Sequence, residues 1–169
     1  MLSALILILA AATQTADPMA PALAGQIQCF TPNVAAKTCQ AIAKYTRNGD
    51  GSWTGVSTLL LAPAPVVTMT SSSSATLTNG ALCGIIKRED FANATVAVGG
   101  VPLPAEQAST ITGQVLAAVT PMIGQNACTS WKPEGNVLVA ETTLNGTARP
   151  ELTQRFIWVN AADGYTVAP

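Results

Sequence analysis

The chain has 169 residues, of which 49% are hydrophobic and 10% are charged, and its formal net charge at pH 7 is −1. This composition is too hydrophobic for a disordered chain, and the near-balanced charge gives no long-range field that would attract nucleic acid. The sequence contains no histidine, which excludes Ser-His-Asp and Cys-His catalytic groups and histidine-ligated metal sites. We therefore expect one globular domain with no cofactor and no nucleic-acid partner.

The first segment has the pattern of an export signal. Leu2 to Ala12 is an uninterrupted apolar run that is too short to span a bilayer as a helix. A small-x-small cleavage pattern, Ala22-Leu23-Ala24, follows it. We predict a signal peptide over residues 1–24, with cleavage after Ala12 as the alternative. The mature domain, 25–169, is then periplasmic or secreted without stable membrane insertion, and a buried N-terminal helix is the competing interpretation.

The next predicted element is a short helix over about 32–44. Thr31 places a capping hydroxyl before Pro32, and proline suits the first helical position. Apolar side chains then follow at helical spacing, namely Ala35, Cys39, Ile42 and Ala43.

The four cysteines predict a disulfide framework. Their number is even, and the chain carries an export signal, so oxidised pairs are the expected state. Three connectivities are possible. Cys29 lies just before the predicted helix and Cys39 in its second turn, so the chain can bend back to join them. We favour Cys29 with Cys39 and Cys83 with Cys128.

Strands follow the first helix. Asn48 to Gly51 predicts a hairpin turn that leads into a strand over Ser52 to Leu61. Val66 to Thr70 supplies another strand. The continuation, Ser71 to Ser74, is either an edge strand or a mobile loop, and its alternation favours the edge.

A second helix begins at Pro104 and is limited by Pro121 and Gly124. Two further strands are predicted after it, over Asn136 to Leu144 and over Leu152 to Val159. If the turn between them centres near Ala148, Glu141 and Arg155 face each other and form a structural ion pair.

These elements predict an α+β fold with two helices packed on an antiparallel sheet and stabilised by disulfides. The element order in 26–78 is similar to that in 102–160. Either a duplicated helix-plus-three-strand meander or a chance likeness accounts for this.

Little in the sequence points to catalysis. Trp53, Trp131 and Trp158 are candidates for a stacking platform, but tryptophans in an aromatic-poor chain more often anchor the core. A hydrolase could use a pair of carboxylates, but no spacing in the sequence pairs the acidic residues. The seven candidates are Glu89, Asp90, Glu106, Glu134, Glu141, Glu151 and Asp163.

Five short stretches together resemble small exported bacterial proteins of unassigned function. They are Cys29-Phe-Thr-Pro, Lys37-Thr-Cys39-Gln, Gly49-Asp-Gly51, Arg155-Phe-Ile-Trp158-Val and the terminal Ala162 to Pro169. The resemblance implies a periplasmic or secreted location and carries no activity.

The leading hypothesis is a non-catalytic envelope protein that binds another protein or a surface polymer through a sheet face or the edge at Val66 to Ser74. The alternative is a hydrolase that uses two carboxylates on an envelope polymer.

Overall fold

The computed structural model describes residues 17–169. The apolar run Leu2 to Ala12 and the alternative cleavage position after Ala12 lie outside the described residues. The helices are α1 Ala20–Leu23, α2 Arg88–Ala92 and α3 Ala105–Val119, with 3₁₀ turns at Thr120–Met122, Pro150–Leu152 and Ala161–Asp163. The strands are β1 Gln26–Phe30, β2 Thr38–Cys39, β3 Ala41–Arg47, β4 Trp53–Pro63, β5 Val66–Thr78, β6 Ala81–Ile85, β7 Thr95–Val98, β8 Val101–Pro102, β9 Asn126–Glu134, β10 Val137–Leu144, β11 Thr147–Ala148, β12 Gln154–Asn160 and β13 Thr166–Val167.

Eight of these strands close into an antiparallel barrel. Their order around the barrel is β4-β3-β1-β12-β10-β9-β6-β5, and pairing between β4 and β5 closes the ring. Outside the ring, β7 and β8 continue from β5, β11 pairs with β10, and β13 forms a separate parallel pair with β2. The predicted α+β class, with two helices packed on an antiparallel sheet, is therefore wrong.

The segment 32–44 is not helical. Asn33 and Thr38 form an isolated bridge, Lys37 has a φ of 53°, and β2 and β3 follow. The apolar residues that suggested a helix also fit a strand, because residues 41 and 43 face one side of β3 and residue 42 the other. Pairing of β3 with both β1 and β4 decides in favour of the strand. Without this helix, 26–78 does not contain a helix-plus-three-strand meander, so of the two interpretations of the similar element order the duplicated unit is wrong.

The second predicted helix is confirmed. Helix α3 begins directly after Pro104, lies outside the barrel and contacts α2 and β7. Thr112 is buried on its inner side, where its hydroxyl donates to the carbonyl of Ala108 over 3.1 Å. Over residues 17–169, no helix is long and apolar enough to cross a membrane.

The predicted strands after Ser52 are confirmed, but β5 is not a simple edge. Residues 67–70 pair with β4 on one side and β7 on the other, and residues 76–78 pair with β6. Residues 71–75 pair on a single side, with β4, and residues 76–78 pair on a single side with β6. The expected edge at Val66 to Ser74 is therefore restricted to its second half.

Helix α1 packs into one end of the barrel. Met19 is fully buried, Ala22 is buried, and both belong to one cluster with Trp53. The backbone N–H of Met19 donates to Oδ1 of Asp17 over 2.9 Å, which fixes the start of the helix. The described chain therefore uses residues before 25 as part of its core.

Both favoured disulfides are confirmed. Cys29–Cys39 has a Cα–Cα distance of 5.4 Å, and Cys83–Cys128 has one of 4.0 Å. The first pairing is right although Cys39 lies on a strand rather than on a helix. It belongs to an apolar cluster on the outer face of the barrel, completed by Ile27, Ile42, Ile157, Val159 and Tyr165.

The ion pair expected between Glu141 and Arg155 does not form. Strand β10 places Val139 opposite Arg155, so the turn centres one residue earlier than assumed and Glu141 lies two positions away. Each charge has another partner: Nζ of Lys132 lies 2.5 Å from Oε2 of Glu141, and Nη2 of Arg155 donates to Oε1 of Glu134 over 2.7 Å.

The close approach of β6 to β5 gives a stability prediction. A Cβ added at Gly84 would lie 2.6 Å from the carbonyl oxygen of Ser74. We expect Gly84→Ala to lower the free energy of unfolding in urea by about 1–3 kcal/mol. The matched control is Gly113→Ala, which meets nothing within 4 Å on α3 and should raise that free energy by about 0.5–1 kcal/mol. Equal effects of the two substitutions would contradict this packing.

Candidate functional site

Alternate residues of the barrel strands face its interior. The register places Gln28 between Trp158 on β12 and Ala43 on β3. Across the barrel, Trp131 lies opposite Ala140. The interior set defined in this way includes Gln28, Phe30, Ala43, Tyr45, Trp53, Leu77, Leu82, Thr129, Trp131, Ala140, Thr142, Phe156 and Trp158.

Aromatic rings occupy much of this interior. Phe156 is fully buried, and its ring centroid lies 5.4 Å from that of Phe30 and 5.9 Å from that of Trp158. Trp131 and Tyr45 extend the group, each at 6.4 Å from a neighbouring ring and in an edge-on arrangement. Tilted and edge-on contacts at these distances are favourable for aromatic pairs. The rings form a stiff wall on which other groups can be positioned.

Gln28 is the polar group at the centre of this wall. Its side chain is fully buried, and its Oε1 accepts a hydrogen bond from Oη of Tyr45 over 2.9 Å. Its Nε2 has no hydrogen-bond partner among the described residues. A buried donor without a partner costs about 1–3 kcal/mol. The barrel therefore keeps a buried amide whose donor end the surrounding side chains do not satisfy.

A cavity of about 150 Å³ lies against Gln28. We call it the Gln28 cavity. Thr129 and Thr142 lie on its far wall with their hydroxyls 3.1 Å apart. In the described part of the chain, no charged side chain lines it. Its lining consists of Gln28, Phe30, Tyr45, Leu82, Thr129, Trp131, Ala140, Thr142, Leu152 and Gln154.

The solvent side of the Gln28 cavity is formed by the connection from β10 to β12. Leu152 ends the 3₁₀ turn Pro150–Leu152, and Gln154 begins β12. Leu152 is half-buried and Gln154 is exposed. The lining of the cavity therefore reaches solvent beside these two residues.

A second cavity lies under α2, where β5 separates from β6. Its volume is about 220 Å³, and it shares Leu82 with the Gln28 cavity. Ser71, Ser73 and Ser74 supply hydroxyl groups, and Asp90 is the one carboxylate among the described residues that line it. Oδ2 of Asp90 accepts a hydrogen bond from the backbone N–H of Lys87 over 3.2 Å. That carboxylate therefore already caps the start of α2.

The acidic residues named from the sequence do not converge. Neither of these two interior cavities has two carboxylates in its described lining. Glu134 and Glu141 lie on the outer face in the pairs with Arg155 and Lys132. The pKa of Glu151 is lowered by its own backbone N–H and by the Arg149 guanidinium, which is the opposite of what a general acid requires.

Two of the three tryptophans have the core role expected from the sequence, and one contributes to the cavity. Trp53 is buried beside α1, and Trp158 packs against Phe156. Trp131 lines the Gln28 cavity.

Gln28 itself was missed, because the alternation Gln26-Ile27-Gln28-Cys29 assigns glutamines to the solvent face of an ordinary strand. A sequence signal for a closed barrel would have been needed to place Gln28 on the interior face of its strand.

No protein-family model, curated protein or solved structure matches this chain.

The phenol of Tyr45 gives a pH prediction. Burial raises its pKa from 10.0 to about 12, so the folded state favours the protonated form. The associated stability is complete below pH 10 and is lost as the pH rises through 12. Between these limits, we expect the free energy of unfolding to fall by about 2–3 kcal/mol more in the native protein than in Tyr45→Phe.

The control for this experiment is Tyr165→Phe, at the second of the two tyrosines. It leaves Tyr45 in place and should retain the pH dependence of the native protein. Urea unfolding followed by tryptophan fluorescence at several pH values provides the measurement. The same pH dependence in Tyr45→Phe as in the native protein would show that Tyr45 is not responsible.

Proposed function

We propose that this chain is an exported, non-catalytic binding protein that holds a small molecule inside its barrel. The observation that carries the proposal is the fully buried Gln28, which lines the Gln28 cavity and whose Nε2 has no hydrogen-bond partner among the described residues. A closed barrel of eight strands is just wide enough to be filled by side chains or to hold one small ligand. Here the described side chains leave a cavity beside a buried donor that none of them satisfies.

The size of the cavity supports an organic ligand. A water molecule takes about 30 Å³ of liquid volume, whereas an engineered protein cavity of about 150 Å³ binds benzene. The Gln28 cavity has the second volume. Satisfying Gln28 with water alone would need only a fraction of this space.

The carboxylate hydrolase has less support. Its mechanism needs two carboxyl groups facing one substrate, about 5–10 Å apart. Glu134, Glu141 and Glu151 instead form surface ion pairs. Asp90 and Asp163 cap short helical turns, Asp163 by accepting from the backbone N–H of Asn160 over 2.9 Å. A surface partner at Val66 to Ser74 also has less support, because pairing with β7 covers residues 67–70.

The disulfides support export. Both disulfides are formed by the described residues, and such bonds persist in oxidising compartments. Because α1 belongs to the core of the barrel, cleavage after Ala12 fits the folded domain better than cleavage after Ala24. The domain would then act in the periplasm or outside the cell.

Filling the cavity tests the binding function. Ala140 is 5% exposed and lines the Gln28 cavity, so Ala140→Leu projects an isobutyl group into it. We expect native mass spectrometry of protein from its own cells to show a bound small molecule in the wild type and none in Ala140→Leu. Benzene added to each protein should bind the wild type at least about tenfold more tightly than it binds Ala140→Leu. The chemical-shift changes of the interior aromatic rings measure this binding.

The matched control is Ala117→Leu, the same substitution at an exposed position of α3. It should retain both the bound molecule and benzene binding. If Ala140→Leu folds normally and still binds as the wild type does, the barrel interior is not the binding site.

The processing site gives a separate prediction. Peptide mass spectrometry of the envelope fraction should identify a mature N-terminus at Thr13, upstream of Met19, because the buried Met19 is part of the barrel core. A chain that begins at Gly25 and unfolds at the same urea concentration as one that begins at Thr13 would contradict the structural role of α1.

A further inference from the structure

We infer that the ligand of the Gln28 cavity is an uncharged molecule with one planar ring and a hydrogen-bond acceptor on that ring. This inference rests on the proposed function and names the chemical class of its ligand. It is carried by the direction of the hydrogen bond at Gln28, the neutral lining and the aromatic walls.

The acceptor follows from the orientation of the Gln28 amide. Oη of Tyr45 uses its proton on Oε1 of Gln28, so the donors that remain in this group are those on Nε2. A ligand with an acceptor, such as a ring nitrogen or a carbonyl oxygen, satisfies Nε2. A ligand with only a donor can at most share Oε1, which has a second lone pair, and it leaves Nε2 without a partner.

The absence of a formal charge follows from the lining. Every side chain in the described lining of the Gln28 cavity is neutral, so an ion would lose its hydration without gaining a counter-charge. The effective cost of burying an ion in this way is several kcal/mol. Asp90, the carboxylate of the neighbouring cavity, lies on the other side of Leu82.

The planar ring follows from the walls. Phe30, Tyr45 and Trp131 contribute aromatic faces and edges to the lining. These rings are held by contacts with Phe156 and Trp158, so the walls are not free to rearrange around a bulky aliphatic molecule. The volume of about 150 Å³ accommodates a single ring.

Three probes of nearly equal size separate these requirements. Pyridine carries an acceptor, pyrrole carries a donor, and benzene carries neither. We expect pyridine at neutral pH to bind about tenfold more tightly than benzene, and pyrrole no more tightly than benzene, because one buried donor gains its partner only with pyridine. Titrations followed by ¹H–¹⁵N spectra should shift the side-chain NH₂ resonance of Gln28 with pyridine. N-methylpyridinium, which has the same ring with a positive charge, should not bind.

Gln28→Leu and Gln28→Met should remove the preference for pyridine while retaining benzene binding. The matched control is Gln114→Leu, at an exposed position on α3, which should keep the preference. Should both Gln28 variants fail to fold, the order of affinities in the wild type still decides the question.

The outcomes separate the two proposals. Equal affinity for pyridine and benzene, or tighter binding of pyrrole, overturns the acceptor requirement and leaves the barrel as a binding site. Tight binding of N-methylpyridinium overturns the requirement for an uncharged ligand. Binding of none of these probes overturns the proposed function itself.

Discussion

Closure of the sheet by pairing between β4 and β5 is the constraint on which the rest of the structure depends. Once the ring is closed, every second residue of eight strands must share one narrow interior. Large rings such as Trp53 and Phe156 fill most of that space, and α1 packs into one end. The outer face then needs its own cover, which the disulfide Cys29–Cys39 and the chain around Tyr165 provide. The interior cavities are the volume that this packing leaves.

Gln28 connects this packing to the proposed function. A core selected only for stability would place an apolar side chain at a fully buried position. Here a buried amide is held by Tyr45, its Nε2 has no partner among the described residues, and its side chain lines a neutral cavity. Proteins commonly accept such a loss of stability where a binding site requires it. The cost at Gln28 is therefore understandable if a ligand supplies the missing acceptor.

Local patterns predicted several elements of this fold but not its closure. Pro104, Pro121 and Gly124 delimited α3. Turn residues located each end of β4 and of β10 to within two residues. Residues 41–43 fit both a helix and a strand, and only pairing with distant β1 and β4 decided between them. The same long-range closure turned Gln28 inward and moved Arg155 from Glu141 to Glu134. Local sequence does not contain this information, because it depends on which strands meet after folding.

The most direct test of this account is the free energy of unfolding of the double variant Gln28→Leu/Tyr45→Phe without added ligand. Replacing both partners of a buried hydrogen bond by apolar groups of similar shape is nearly neutral or stabilising, and the variant also removes the unpartnered donor. The account predicts a double variant at least as stable as the wild type that no longer prefers pyridine over benzene. A loss of more than about 2 kcal/mol would contradict it, because Gln28 would then serve the stability of the barrel rather than the binding of a ligand.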